Sequence, residues 1–576
     1  MGAFFLYHRN SKIAKNLVDK LYELKGFKSP FRVTIGDYNL MLFRKQIVDI
    51  VNHFQIERNY IFATGSLFYK GRNYIESLKN LLSDFINNCV DSQNLYGNYV
   101  IIFYNGIKKQ ITFCIDPAFI KNVYYDPDKK IITSDFLALI EAFPKAYSLN
   151  KIAVIENLIT GNLISPDTYA KEIQKLDRVN FISIETNYTG IKVQVFKPEL
   201  VGDIHNFNSA IKNANDLLSN YFKSVKNLTE EFGAHIGLTG GFDSRLLLMH
   251  AKKHLKRLVT NSFWRGNSIE YFNAKQLAKV ANVDFFSFEE DTFIKPGNEV
   301  MLKNSFYFFD GQIRSQNNWE EEFNLSDYTF RIASNHFVGF HGCGGEQYRN
   351  ADRLIKKISL KTFIQHEWMF KKCSNVFIDK KLKNRVYENI ENKVRRLVDI
   401  QINKVGLNEL KKIQNEIWNK SNRATRLNVL NQQQFYFAPF TEYQLSMAAY
   451  FYVPFLGNSL TFQIEMMKEL DMELSGVPTN YGFNLLRGES FKYKFIPYIF
   501  NIVPRFVFYS IYHKLKNTQS NKFQIGSFIK TAHPFFHSVT RKLDLEKIGN
   551  NKELGNGLNS FDYLLKNTTL ENKHEC

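Results

Sequence analysis

Cysteine is scarce in this chain of 576 residues, and its scarcity argues against two kinds of site. Disulfide-stapled folds and structural zinc sites need several cysteines at short, regular spacings. This chain has only five, and no two of them form a Cys-x-x-Cys pair: Cys89, Cys114, Cys343, Cys373 and Cys576. We therefore predict neither a disulfide framework nor a zinc site, and we predict a reducing cytoplasm as the location.

A long apolar run is also lacking. A membrane-spanning helix needs about 20 apolar residues, and the nearest candidate, residues 495–512, is interrupted by prolines, an asparagine and an arginine. The N-terminal residues lack the basic start and apolar core of a secretory signal. We predict that residues 495–512 are a buried or interfacial segment. Because Lys514 and Lys516 follow it, loose association with a membrane surface is the alternative.

Positive charge exceeds negative charge, with 75 Lys and Arg against 56 Asp and Glu and a formal net charge of +19. This balance is typical of proteins that bind nucleic acid, anionic membranes or anionic substrates. Because the charge is spread along the chain, we interpret it mainly as solvated surface and expect no stable nucleic-acid partner. The length exceeds one ordinary domain, so two or three are expected.

The most informative stretch is residues 233–250, GAHIGLTGGFDSRLLLMH. Residues 236–238 are typical of a buried parallel strand, and the leucines from Leu246 begin a predicted helix. The glycines of the turn between them let the backbone approach a ligand closely. The helix directs free N–H groups and its positive dipole end into that turn, which suits phosphate. Asp243 is a carboxylate that Mg²⁺ accompanying a nucleotide could use.

The order of strand, Thr-Gly-Gly-x-Asp-Ser turn and apolar helix resembles the pyrophosphatase loop (PP-loop) of N-type ATP pyrophosphatases. It does not match the Gly-x-x-x-x-Gly-Lys-Ser/Thr pattern of ordinary P-loops. The resemblance implies that ATP binds here, with its β- and γ-phosphates on the loop. A plain strand–helix turn without a ligand is the alternative. The predicted nucleotide-binding residues of this loop are Leu238, Thr239, Gly240, Gly241, Asp243 and Ser244.

Further strands are predicted at residues 257–263 and 283–288, each separated from the preceding strand by a helical pattern. This alternation predicts an α/β domain with a doubly wound parallel sheet. Ligands of such sheets lie at the carboxyl ends of the strands. We therefore place Ser262 near the base of the nucleotide.

A second glycine turn occurs in residues 337–350, FVGFHGCGGEQYRN, after another strand pattern. It resembles the Ser-Gly-Glu-Gly-x-Asp-Glu turn of asparagine synthetases. The resemblance implies that Gly342 lies beside the nucleotide and that Glu346 is the metal-binding and catalytic acid, sharing Mg²⁺ with Asp243. Cys343 stands where the family has a glutamate that helps to deprotonate the nucleophile. A glycine-rich connection without a ligand is the alternative.

Residues 1–195 are β-rich and resemble the class II glutamine amidotransferase domain that precedes the synthetase half of asparagine synthetases. The resemblance implies an α+β, Ntn-hydrolase-like β-sandwich. The supporting pieces follow the family's order: Gly97-Asn98-Tyr99 before a strand, Asp116-Pro117 before Val123-Tyr124-Tyr125, and Thr133-Ser134-Asp135 before a helix.

The N-terminus departs from that family. Its nucleophile is an N-terminal cysteine, whereas Gly2 stands here and Cys89 is the first cysteine of the chain. Glycine has no side chain to attack a glutamine amide. We expect no glutaminase activity and assign no catalytic residue to this domain, which we interpret as a structural remnant.

A catalytic lysine of the family also has no direct counterpart. The family has a Lys-x-x-Leu-Arg pattern, but Phe483 precedes Leu486-Arg487 here. Lys492 or Lys494 could supply the cation, and we take Lys492 as the catalytic candidate. Two arginines farther upstream, Arg423 and Arg426, either face an anionic substrate or are solvated.

These patterns predict a degenerate amidotransferase-like domain at 1–195, an ATP pyrophosphatase domain with added helices at 205–500, and a basic, partly ordered C-terminal extension at 501–576. The resemblance implies an ATP-dependent ligase, which could form a homodimer and which adenylates a carboxylate and transfers it to ammonia or an amine. A sugar acid of surface polysaccharide synthesis is the favoured carboxylate. The alternatives are an inactive nucleotide-binding or scaffold homologue and a tRNA-modifying enzyme.

Overall fold

The computed structural model describes residues 2–178, 181–185, 191–194, 204–264, 268–289, 298–312, 333–350, 356–365, 376–457, 459–489, 525–549 and 552–570. Lys492, Lys494 and the segment 495–512 lie outside these residues. Among the described helices, none is both long enough and apolar enough to cross a membrane.

The N-terminal half contains two six-stranded antiparallel sheets. The first has the order β10-β8-β9-β1-β3-β2 and the second β12-β11-β7-β6-β5-β4. The strands are β1 (Ala3–His8), β2 (Phe31–Ile35), β3 (Tyr38–Phe43), β4 (His53–Ile56), β5 (Asn59–Tyr69), β6 (Leu95–Asn105), β7 (Gln110–Ile115), β8 (Tyr124–Asp126), β9 (Ile131–Thr133), β10 (Gln174–Lys175), β11 (Phe181–Glu185) and β12 (Ile191–Gln194).

Alternation along β1 explains how the two sheets pack. Phe4 and Leu6 join a core shared with residues of the second sheet, such as Phe62 and Ile102. Phe5, on the other face of the strand, packs towards the helices that cover the first sheet. Alternate residues of β1 therefore face the second sheet or the covering helices, and this alternation explains a β-sandwich with helices on its outside. The helices of this half are α1 (Lys15–Leu24), α2 (Tyr74–Ile86), α3 (Phe136–Ala142) and α4 (Lys151–Thr160).

The C-terminal half is built on a five-stranded parallel sheet with the order β15-β14-β13-β16-β19. This confirms the predicted parallel strands. The sequence patterns did not predict the edge strand β19. The strands are β13 (Ala234–Gly237), β14 (Leu258–Trp264), β15 (Asp284–Glu289), β16 (Val338–Phe340) and β19 (Phe435–Phe437), and β17 (Ile358–Ser359) and β18 (Lys404–Val405) form a separate small pair.

Helices connect and cover this sheet. The amphipathic helix α5 (Phe207–Ser224) begins where the Asn206 side chain accepts the Ser209 N–H. The other helices of this half include α6 (Lys226–Phe232), α7 (Phe242–His254), α8 (Ile269–Ala281), α9 (Asn298–Phe308), α10 (Lys380–Leu397), α11 (Leu407–Ile413), α12 (Ala424–Gln433), α13 (Tyr443–Tyr452), α14 (Thr461–Leu470) and α15 (Met472–Gly476). A π-helix, Gln414–Arg423, lies between α11 and α12.

The described residues of the C-terminal extension, 525–549 and 552–570, are largely helical. Its described residues form four helices, whose apolar side chains join the core of the first sheet. Leu558, Phe561 and Leu565 are spaced by three and four residues, which gives the last helix one apolar face. The Asn- and Lys-rich composition hid this face. The helices are α16 (Ile525–Thr531), α17 (Pro534–Val539), α18 (Leu545–Gly549) and α19 (Lys552–Asn567).

The two halves share buried contacts. One apolar core contains Leu67 and Tyr74 of the N-terminal half together with Leu247 and Phe340 of the parallel-sheet half. A charged cluster lies at a second junction, where the fully buried Lys25 ammonium pairs with Asp135 and, at 3.0 Å, with Asp310. The Asp310 carboxylate, which comes after α9 in the chain, also accepts backbone N–H groups at the start of α3. Apolar and ionic contacts therefore fix one half against the other.

Glu442 is a third link between the halves. Its buried carboxylate accepts the Gly97 N–H at 3.0 Å and the Tyr221 hydroxyl at 3.4 Å. Burial raises the pKa of Glu442 from 4.5 to about 8, although the Gly97 N–H lowers it. Between pH 4.5 and about pH 8, the Glu442 carboxyl stays protonated in the folded protein but loses its proton in the unfolded chain. This group therefore lowers the free energy of unfolding by about 1.4 kcal/mol per pH unit as pH rises.

We expect Glu442→Gln to remove that slope and to make the protein more stable than wild type at pH 8. Glutamine keeps an acceptor for Gly97 and carries no charge that must be buried. Urea unfolding measured from pH 5 to pH 8 would show the difference. Glu473→Gln, at an exposed position, is the matched control and should retain the wild-type slope. An unchanged slope in Glu442→Gln would contradict the prediction.

Candidate functional site

Two glycine turns meet at the carboxyl edge of the parallel sheet. The first follows β13 and leads into α7, and the second follows β16, which pairs directly with β13. The strand order reverses between these two strands, and such a switch point forms a crevice where open α/β sheets bind ligands. A Cβ on Gly345 would lie 2.9 Å from the Asp243 Cβ, and one on Gly342 would lie 3.1 Å from it. Glycine in the second turn therefore allows it to pack on the first.

Hydroxyl groups fix the shape of the first turn. Thr239 Oγ1 and Ser244 Oγ are 2.9 Å apart, and Ser244 Oγ also accepts the Thr239 N–H at 3.1 Å. Thr239 Oγ1 accepts the Gly241 N–H at 3.2 Å. The motif alone suggested that both hydroxyls donate to a ligand, whereas here they bind each other and the loop backbone. They therefore pre-organise the loop.

Backbone hydrogen bonds to β14 and to Asn480 hold the neighbouring residues of the loop. The Leu238 side chain is buried in the core, and its N–H donates to the Asn261 carbonyl at 2.8 Å. The Gly240 carbonyl accepts the Asn480 N–H at 3.1 Å. Ser262 follows Asn261 in β14, which places it at the same edge of the sheet as the turn. The assignment of these residues to nucleotide binding stays a prediction.

Asp243, the predicted metal ligand, pairs with an arginine of the second turn. The Arg349 guanidinium contacts both carboxylate oxygens, with an Nη2–Oδ2 distance of 2.9 Å. Gln463 donates to Asp243 Oδ1 at 3.0 Å and also accepts a hydrogen bond from Arg349. Both oxygens of this carboxylate are therefore engaged.

Glu346, the predicted catalytic and metal-binding acid, pairs with Arg423 of the π-helix. Arg423 also donates to Asn419, one turn earlier. The Lys411 side chain, in a residue only 1% exposed, donates to the carbonyls of Glu346 and Arg349 at 2.5 and 2.7 Å. Of the two alternatives for Arg423, the structure therefore favours a place in the site over a solvated surface.

This arrangement does not fit Mg²⁺ at Asp243 and Glu346. Mg²⁺ needs carboxylate oxygens free to coordinate it, but each carboxylate already binds a guanidinium. Within the described ranges, no group of three or more His, Cys, Asp or Glu side chains could hold a metal ion. This arrangement therefore does not support the predicted metal roles of the two acids, which stay predictions.

Cys343, which replaces the family's glutamate, is a thiol here. Burial raises its pKa to about 11, while Arg423 and Arg426 lower it. The side chain packs against a small apolar cluster that contains Ile120 of the N-terminal half and Leu427. A protonated thiol in this position does not act as a general base near neutral pH.

The position of the family's catalytic lysine is apolar. Phe483 is 9% exposed, and its ring packs 6.2 Å, centroid to centroid, from the Phe242 ring at the start of α7. Lys492, the predicted replacement, lies outside the described residues. Sequence reasoning missed Arg349, Gln463 and Lys411. Arg349 lies within the second glycine-turn stretch and could have been noticed, whereas no motif marks the other two.

Comparisons with known proteins add little. No protein-family model and no curated protein matches the chain. The chain covers less than two thirds of the length of three similar solved structures. They are the NH3-dependent NAD synthetase from Campylobacter jejuni subsp. jejuni NCTC 11168 (14% identity, TM-score 0.17, 26% of this chain and 61% of that one), the NMN synthetase from Francisella tularensis (20%, 0.18, 25% and 58%) and the glutamine-dependent NAD+ synthetase from Acinetobacter baumannii (14%, 0.16, 35% and 43%).

TM-scores this low carry no argument about fold or activity. A function can therefore be proposed only from the geometry of the two glycine turns and from the sequence motifs.

Proposed function

We propose that this protein is an ATP-dependent, amide-forming ligase. A carboxylate oxygen of the substrate attacks the α-phosphorus of ATP, and the bond to pyrophosphate breaks. The nitrogen of ammonia or of a substrate amine then attacks the acyl carbon, and AMP leaves. The observation that carries the proposal is the contact between the Thr-Gly-Gly-x-Asp-Ser loop and a second glycine turn at the switch point of a parallel sheet.

The site supplies positive potential where the leaving pyrophosphate gains charge. The first N–H groups of α7 have no acceptors within their own helix and are directed towards the loop that precedes it. Arg349 and Arg423 belong to the second turn and the π-helix and pair with Asp243 of α7 and with Glu346. Pre-arranged donors and cations of this kind stabilise a transition state in which negative charge develops.

The N-terminal half is proposed to act without glutamine hydrolysis. A Cβ at Gly2 would lie 2.9 Å from Phe27 Cζ and from the Arg44 carbonyl oxygen. The space that a nucleophilic side chain would need is thus filled by a ring and by backbone. Free ammonia or a substrate amine is the proposed nitrogen source, and a sugar acid is the proposed carboxylate.

A nucleotide-binding protein without turnover is the second candidate. It is favoured by the ion pairs that engage Asp243 and Glu346 and by the phenylalanine at the lysine position. The two functions differ in whether pyrophosphate appears after ATP binds.

Pyrophosphate release from ATP tests the proposal. We expect release stimulated by one member of a panel of uronic acids and amino acids in the presence of ammonium. Asp243→Asn should slow it by about 100-fold or more, because Arg349 loses its anchor beside the leaving group. Asp19→Asn breaks an exposed Asp–Arg pair with Arg32, 2.6 Å apart, and should leave the rate unchanged. ATP binding without release under every condition would support the second candidate.

A further inference from the structure

We infer that arginines take the place of a divalent cation in this site, so that ATP binds to it without Mg²⁺. The inference rests on the proposed nucleotide site. The question is which positive charges neutralise the phosphates. The inference is based on two ion pairs, Arg349–Asp243 and Arg423–Glu346, which engage both candidate metal ligands.

Arg349 is held as part of the folded site. Its side chain is 9% exposed, and its guanidinium lies 5.8 Å from the centroid of the Phe242 ring, beside the first turn of α7. A bidentate pair to Asp243 and a hydrogen bond to the fully buried Gln463 fix its orientation. If a cation displaced Arg349 from Asp243, it would leave a mostly buried guanidinium without its carboxylate, which is strongly unfavourable.

The second pair repeats the arrangement. Arg423 is 15% exposed and Glu346 is 19% exposed, so the pair is largely covered but still reaches the surface. Asn419 accepts a hydrogen bond from Arg423 and orients its guanidinium. The Lys411 ammonium donates to two backbone carbonyls of the second turn and so stabilises its conformation.

The charge balance of the cluster suits a polyphosphate directly. The guanidinium groups of Arg349 and Arg423 together carry the charge of one Mg²⁺ and pair with the same two carboxylates, Asp243 and Glu346. Two unpaired carboxylates would repel phosphates and would need a metal to bridge them. Here the positive charge that balances the carboxylates is built into the protein.

Isothermal titration of the full chain with ATP, in excess EDTA and in excess MgCl₂, tests the inference. We expect the dissociation constants for ATP in the two buffers to agree within about threefold. If the site does not use Mg²⁺, the metal is not coupled to ATP binding and does not change the affinity. Binding that requires Mg²⁺ would overturn the inference and leave the nucleotide site standing. Absence of binding in both buffers would overturn the inference and the proposed function together.

Two variants sharpen the test. Arg349→Met should weaken ATP binding in EDTA by about tenfold or more, and MgCl₂ should restore much of it because Asp243 is then free for the metal. Arg423→Met should behave in the same way through Glu346, which keeps the test usable if one variant does not fold. Arg395→Met, which breaks the 2.7 Å pair with Glu391 on α10, is the control. Equal binding by wild type and both site variants in EDTA would also overturn the inference.

Discussion

Gly240→Ala is expected to abolish measurable ATP binding while the protein stays folded. A Cβ at this position would lie 2.7 Å from the Asn273 Cβ and closer still to Asn480 Oδ1. Asn480 cannot easily move away, because its N–H donates to the Gly240 carbonyl and its side chain accepts from Asn273. The loop must therefore shift, and each hydrogen bond to a phosphate that is lost costs about 1.5 to 3 kcal/mol, so that losing two weakens binding by about 100-fold or more.

Titration with ATP measures this effect, and circular dichroism confirms that the variant is folded. Gly237→Ala is the matched control, because that glycine ends the strand before the loop and a Cβ there meets nothing within 4 Å. We expect the control to bind ATP as wild type does. Normal binding by Gly240→Ala would show that the Thr-Gly-Gly turn does not hold the phosphates.

Gly97→Ala is expected to lower the free energy of unfolding by roughly 3 to 5 kcal/mol, from overpacking and backbone strain together. Gly97 lies in β6 at φ +122°, a conformation that residues with a Cβ rarely adopt. The added Cβ would lie 2.9 Å from the Leu67 Cα of the neighbouring strand β5 and closer still to the Ser66 carbonyl oxygen. Both are backbone atoms, so β5 and β6 must separate locally. The Gly97 N–H also binds Glu442 across the junction of the two halves.

Urea unfolding of wild type and variant measures the loss. Gly71→Ala separates strain from crowding, because Gly71 has φ +66° but its Cβ would meet only the Ser224 carbonyl oxygen, at 3.8 Å. We expect a loss of about 1 to 2 kcal/mol for the control, from backbone strain alone. Equal losses for the two variants would contradict a role for close strand approach at Gly97.

Much of the parallel-sheet half could be predicted from the sequence. The strand, loop and helix around Asp243 and the helices α5 and α8 are set by apolar periodicity and by glycine at a turn, which act over a few residues. The second glycine turn was predicted on the same grounds. Local rules failed where no glycine turn follows a short strand, as in β19, and where composition masks the apolar face, as in the Asn-rich α19.

The sequence by itself therefore determined the two turns, and the nucleotide that we predict for them rests on the motifs. Only the tertiary structure decided which charges meet there. Asp243 and Arg349 are 106 residues apart, and Glu346 pairs with an arginine on a helix that belongs to a later part of the chain. Such pairs leave no periodicity, because strand order and helix packing bring them together. The carboxylates that the motifs assign to a metal thus become, in the folded protein, the anchors of two arginines.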